Sequence, residues 1–164
     1  MIEFIEFNGR KYPAFQAEGN ASQFAIPFAK KLCSGFGVDI GFGKPEWKFP
    51  EAIGADINDT TNEYHAGFLP RSLDYIYSSH CLEHLQDWVA SLEYWVGCLK
   101  TKGVLFLYLP HRSQEYWKPW HNRKHLHVLD PELVCECLEA FGLSNVTYSG
   151  VDLNNSFMIF GTKK

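Results

Sequence analysis

Between Leu73 and Leu109 the chain holds a strand, a helix and a second strand in immediate succession, and no other feature limits the fold as much. Leu73 to Ser79 reads as an apolar strand. From about Leu85 to Leu99, the residues Leu85, Trp88, Val89, Leu92, Trp95, Val96 and Leu99 recur at helical spacing. Lys100 to Gly103 reads as a helix stop and turn. Val104 to Leu109 is then almost continuously apolar, as a strand covered on both faces should be. Such a unit predicts parallel neighbours in one sheet, with helices packed against it.

The rest of the chain extends this pattern. Ile2 to Phe7 is strand-like, Gly19-Asn20 is a break, and Ala21 to Leu32 carries a helical stripe with Asn20 placed to cap it. Val38-Asp39-Ile40 and Ala52 to Ile57 are short strands. Asp130-Pro131 starts a further helix that Gly142 closes. Two last strands, Asn145 to Leu153 and Ser156 to Thr162, meet at Asn154-Asn155, which suits a tight reversal. The expected fold is therefore α/β: a mainly parallel sheet with an antiparallel C-terminal hairpin strand. Residues 1–164 read as one domain, with 1–36 as an N-terminal cover and helix and 37–164 as a cofactor-binding core.

Composition excludes several classes. A net charge of −4 leaves no basic footprint for nucleic acid, so no such partner is expected. No apolar run is long enough for a bilayer, and the N-terminus lacks a secretory pattern, so no membrane partner is expected. The five cysteines are scattered without a CxxC pair, as buried thiols in a reducing compartment would be, and the expected location is cytoplasmic. Aromatic residues reach 16% of the chain, a surplus that suits a fold with trimmed secondary structure.

A parallel sheet binds ligands beyond the carboxyl ends of its strands. The first such loop is Gly41-Phe42-Gly43, where glycines allow close approach to the backbone and expose amide donors. The second strand ends at Asp56, an acid placed to accept hydrogen bonds from ribose hydroxyls. A nicotinamide cofactor fits less well, because Glu46 stands where the third glycine of GxGxxG would meet a pyrophosphate.

In this order the motifs resemble class I S-adenosylmethionine-dependent methyltransferases of the compact, small-molecule type, with their Rossmann-like sheet. Val38 to Gly43 looks like the family's glycine motif and Ile53-Gly54-Ala55-Asp56 like its ribose-binding motif. Leu69-Pro70 with Leu73-Asp74-Tyr75-Ile76, Ser78 to Leu85, and Leu99 to Leu105 follow in the family's sequence. The resemblance implies S-adenosylmethionine as cofactor, with S-adenosylhomocysteine as product. It places Asp39, Gly41, Phe42 and Gly43 at the methionine part, Asp56 and Ile57 at the ribose, and Phe68 and Leu69 beside the adenine. Ser79 and His80 would close the site. The chain departs from the family between Gly41 and Glu51, where Pro45 and Pro50 sit in a connection barely reaching the ~10–12 residues of a full crossover. The first half of the sheet should thus be trimmed, with at most one turn of the usual first helix. His65-Ala66 stands where the family carries an acid near the adenine.

The histidines allow several readings. His80-Cys81-Leu82-Glu83-His84 matches the HxxEH spelling of a zinc peptidase, but that chemistry needs the whole motif on one helix. Here a strand ends at Ser79, so Glu83 and His84 should brace the helix start while His80 faces the cleft. His121 and His125 lie in an aromatic segment that reads as a loop, and no metal is expected. His111 and His125 are the candidate bases, since an oxygen or nitrogen acceptor needs a proton carrier near neutral pH. The expected function is methyl transfer to a small-molecule acceptor. The competing one is a catalytically silent, methyltransferase-like binding or assembly module. Trimmed helices would leave sheet surface for a homodimer to cover.

Overall fold

The computed structural model describes residues 3–56, 67–121 and 124–164. A hairpin of β1 (Phe4–Phe7) and β2 (Arg10–Pro13) leads through a 3-10 turn, Ala14–Glu18, into helix α1 (Ser22–Ala29). Strands β3 (Gly37–Ile40), β4 (Ile53–Ala55) and β5 (Leu73–Ser79) precede helix α2 (Trp88–Cys98). Strand β6 (Leu99–Pro110), helix α3 (Pro131–Ala140) and strands β7 (Leu143–Tyr148) and β8 (Ser156–Lys163) complete the chain. Six of the strands form one sheet in the order β4-β3-β5-β6-β8-β7. Pairs β3–β4, β3–β5 and β5–β6 are parallel, and β8 runs antiparallel to both neighbours. The expected α/β, Rossmann-like sheet with an antiparallel final strand is therefore present.

Several boundaries differ from expectation, each for a local reason. Helix α1 is shorter than Ala21–Leu32, with Pro27 inside it, and Asn20 does not cap it: Ala21 holds that position and makes no side-chain cap. The Lys100–Gly103 turn is absorbed into β6 as a bulge. Leu99 pairs with Leu73 and Val104 with Tyr75, while Lys102 adopts a left-handed φ of 69°. The last hairpin is not a tight Asn154-Asn155 reversal, because β7 stops at Tyr148. Asp152 draws the loop out of the ladder: its Oδ1 accepts the Asn154 and Ser156 amides, and its Oδ2 accepts the Tyr108 hydroxyl.

Alternation along the central strands separates two kinds of core. Val38, Ile40, Ile76, Leu105 and Leu107 face α2 and α3 and pack on Trp95, Val96, Val134 and Leu138. Tyr75, Tyr77, Phe106 and Tyr108 face the other way, where α1 contributes Ala25 and Ala29 and the loop before β4 contributes Phe49. Rings do there what helices do on the first side. Phe49 lies 4.8 Å from Tyr77, Tyr77 is stacked 5.8 Å from Phe106, and Phe106 is stacked 6.1 Å from Phe160.

Candidate functional site

The carboxyl ends of β3, β4, β5 and β6 converge on one edge of the sheet. After β3 the chain turns through Gly41 and Gly43, with φ of +79° and +71°. A side chain at Gly41 would also collide with Cys81, its Cβ falling 2.4 Å from Sγ, so the turn requires glycine twice over. The expected crossover helix is reduced to a three-residue 3-10 turn, Pro45–Trp47. Asp39 shortens this connection. Its Oδ2 accepts the Phe49 amide at 2.6 Å and draws the chain straight back towards β4. Burial pushes the Asp39 carboxyl up to about 7, against the opposing pull of that amide and of Lys48. Its side chain lies beneath the cleft and is not on the cleft wall.

Asp56, buried at the end of β4, accepts the Gly43 amide on Oδ2 at 2.9 Å and so ties the second strand to the glycine loop. Phe42 and Gly43 line a cleft of about 140 Å³ together with Ser79 and His80 at the end of β5. Trp47 forms its other wall, with its ring against Gly19 and Gly43. The buried Ser79 Oγ has no close hydrogen-bond partner among the described residues. Phe68 and Leu69 do not join this group. The Phe68 carbonyl accepts from Tyr94 and Cys98 near the end of α2, at the opposite edge of the sheet, and Leu69 is 73% exposed. Ile57 lies outside the described residues, as does the His65-Ala66 pair.

The segment after β6 returns across the ends of the strands and is pinned to a 3-10 turn, Leu82–His84. The amides of Leu126 and His127 both donate to the Glu83 carbonyl, and His84 Nδ1 lies 2.7 Å from the Lys124 carbonyl. HxxEH thus spans a strand end and a 3-10 turn, as its position predicts, and is not helical throughout. It nevertheless meets His125, which the sequence separates from it by some forty positions. Glu83 is fully buried, and among the described residues neither carboxylate oxygen has a hydrogen-bond partner beyond its own backbone. Around Glu83 Oε1 stand His80 Nδ1 at 3.6 Å, His84 Nε2 at 3.8 Å and His125 Nε2 at 4.0 Å.

Burial pushes the Glu83 carboxyl up to about 8. It pulls His80 and His125 down to about 3, with the neighbouring imidazoles adding to the effect, and lowers His84 as well. His80, His84, Trp117 and His125 line a cavity of about 160 Å³ that shares Gly19, Ala21 and His80 with the glycine-loop cleft. His111 stands apart from it. Its Nδ1 is 2.8 Å from Ser113 Oγ, and it borders a separate crevice of about 10 Å³ behind Trp117.

A nucleoside sulfonium fits the chemistry of the first cleft. The glycine turn lets a ligand approach the backbone, an acid closes the neighbouring strand, and among the described residues none on the wall carries a positive charge to repel the sulfur. At about 140 Å³ the cleft is smaller than the ~300–1,000 Å³ of typical ligand sites, and it opens onto the neighbouring cavity at Gly19, Ala21 and His80.

Comparisons with known proteins agree with this architecture. Residues 18–148 match the methyltransferase domain family. No curated protein matches the chain in sequence. Among solved structures, an S-adenosylmethionine-dependent methyltransferase from Thermotoga maritima, described as a possible histamine N-methyltransferase, superposes with a TM-score of 0.70. It is 16% identical, and the match covers 92% of each chain. A second from Archaeoglobus fulgidus gives 0.70 at 18% identity, covering 90% of this chain and 94% of its own. Phosphoethanolamine N-methyltransferase 2 of Haemonchus contortus, in complex with phosphomonomethylethanolamine and S-adenosylhomocysteine, gives 0.65 at 11% identity. That match covers 88% of this chain and 53% of the worm protein. These likenesses establish the fold, and the match over residues 18–148 establishes the family: the chain belongs to the methyltransferase domain family.

Proposed function

We propose that this enzyme transfers the sulfonium methyl of S-adenosylmethionine to a small-molecule acceptor seated in the 160 Å³ cavity. The observation that carries this reading is the shared wall. Gly19, Ala21 and His80 border both the glycine-loop cleft and the histidine-lined cavity. Methyl transfer is a direct displacement, so the protein's main task is to align donor and acceptor across such a wall. Gly41, Phe42 and Gly43 would take the methionine part, Asp56 the ribose, and Ser79 with His80 would close the donor side. Asp39 would act through the loop it holds.

Of the two candidate bases, His125 borders the cavity and His111 does not. Burial lowers the His125 pKa, which disfavours it as a proton carrier near pH 7. Calorimetric titration with S-adenosylhomocysteine tests the donor half of this reading. Binding is expected, and Asp56→Ala should weaken it by about tenfold or more, the loss of a charge-assisted hydrogen bond. Equal binding by the folded variant would remove Asp56 from the site.

A second reading, a catalytically silent binding or assembly module, draws support from Trp47, which occupies the wall of so small a cleft. Absence of S-adenosylhomocysteine binding by the folded protein would favour it. A homodimer would have its natural face in the apolar groove between α1 and the β7–β8 loop, where Phe28, Leu32 and Leu153 are exposed.

A further inference from the structure

Glu83 poses a problem that methyl transfer alone does not solve. A carboxyl group removed from water with no side-chain donor to either oxygen among the described residues is a costly arrangement in a protein interior. The three imidazoles around it stand 3.6–4.0 Å away, too far for hydrogen bonds. A cation placed among these groups would resolve the imbalance. We propose that Glu83, His84 and His125 are the three protein ligands of a divalent transition-metal site, with zinc the best chemical fit and the open position facing the acceptor cavity.

The donor atoms of these three residues lie within 4.8 Å of one another. Ligands bound at ~2.0–2.2 Å in a tetrahedral site stand about 3.3–3.6 Å apart, so the donor atoms need to close by at most about 1.5 Å. His84 is already oriented for ligation. Its Nδ1 is engaged by the Lys124 carbonyl, which holds the proton there and leaves the Nε2 lone pair towards Glu83. His125 is fixed by stacking on Trp117, with ring centroids 5.7 Å apart and planes at 12°. Two imidazoles and one carboxylate are a zinc donor set, whereas calcium and magnesium favour all-oxygen shells. The fourth position faces a cavity that His84 and His125 themselves line, where the ion would bind an oxygen or nitrogen of the acceptor. That role rests on the methyl-transfer reading, but the binding of the ion does not.

Cobalt(II) titration of the chelator-treated protein tests the site. One equivalent is expected to bind with visible d–d absorption, to be displaced by zinc, and to raise the melting temperature. Glu83→Gln and His125→Ala should each weaken binding by about tenfold or more, while His121→Ala, outside the cluster, should not. No binding, or binding that all three substitutions leave equal, overturns the proposal. Should the buried variants fail to fold, X-ray absorption at the zinc edge of the wild-type protein decides instead. A shell of two imidazoles with oxygen is expected, and a sulfur-containing or water-only shell overturns the site. S-adenosylhomocysteine binding, measured separately, distinguishes failure here from failure of the donor reading.

Discussion

Asp39 and Asp56 stand at the ends of neighbouring strands and do different work. Asp56 accepts the Gly43 amide of the glycine loop, whereas Asp39, also buried, accepts the Phe49 amide beyond it. The consequence for Asp39 is thermodynamic. Its folded pKa of about 7 lies above the ordinary carboxylate value of 3.8, so its contribution to stability is fully present below about pH 4. Stability is lost as the pH rises from there through 7, because the unfolded chain ionises first. Asp39→Asn should therefore remove a decline on the order of a few kcal/mol between pH 4 and 7, leaving a flatter profile in urea unfolding. Parallel profiles for the two proteins would contradict the burial argument. The meeting of Asp56 with the glycine turn was legible because strand ends define where their loops leave the sheet. The distance of Phe68 and Leu69 from that turn was not, because a motif's order along the chain does not reveal which end of the sheet a loop occupies.

Secondary-structure elements were legible where side-chain periodicity dominates and less so where one side chain sets a boundary. Strand β5 runs from Leu73 to Ser79, as its apolar pattern predicts. Helix α2 starts three residues later than its apolar stripe, because Asp87 caps it by accepting the Ala90 amide at 3.0 Å while Leu82–His84 form a separate 3-10 turn. That division holds His84 and Glu83 against the returning loop. Asp87→Ala should cost about 1 kcal/mol, read as a lower urea midpoint with an unchanged slope. A change in the slope would point to a wider disruption than a lost cap. The opposite case is β7, where the stripe continues to Leu153 but Asp152 diverts the chain.

At the scale of the whole molecule the two faces of the sheet are unequal. Helices α2 and α3 cover one, while α1 and a set of stacked rings cover the other. The aromatic surplus of the composition is used there: large flat side chains bury area that a longer chain would cover with helices. Coverage ends at an apolar groove of about 680 Å³, rimmed by Phe24, Phe28, Leu32, Val151 and Leu153, with Phe160 at its base. If a second copy closes this groove, sedimentation velocity should show a concentration-dependent dimer that Phe28→Glu with Leu153→Glu returns to monomer. A wild-type protein that stays monomeric at high concentration would argue against the homodimer. No helix among the described residues is long and apolar enough to cross a membrane.

Sequence by itself determined the layered α/β plan, the trimmed first crossover, the glycine turn and the acid on the second strand. Each of these follows from local periodicity, chain length or the φ that only glycine tolerates. Tertiary structure alone decided what meets what. It turned Asp39 into a buried clamp, moved Phe68 and Leu69 to the far edge, kept His111 out of the cavity that His125 lines, and brought Glu83 and His84 against His125. These are contacts between residues far apart in the chain, and no local pattern encodes them. They exist because β6 carries its outgoing loop back over the end of β5, where two backbone amides find the Glu83 carbonyl.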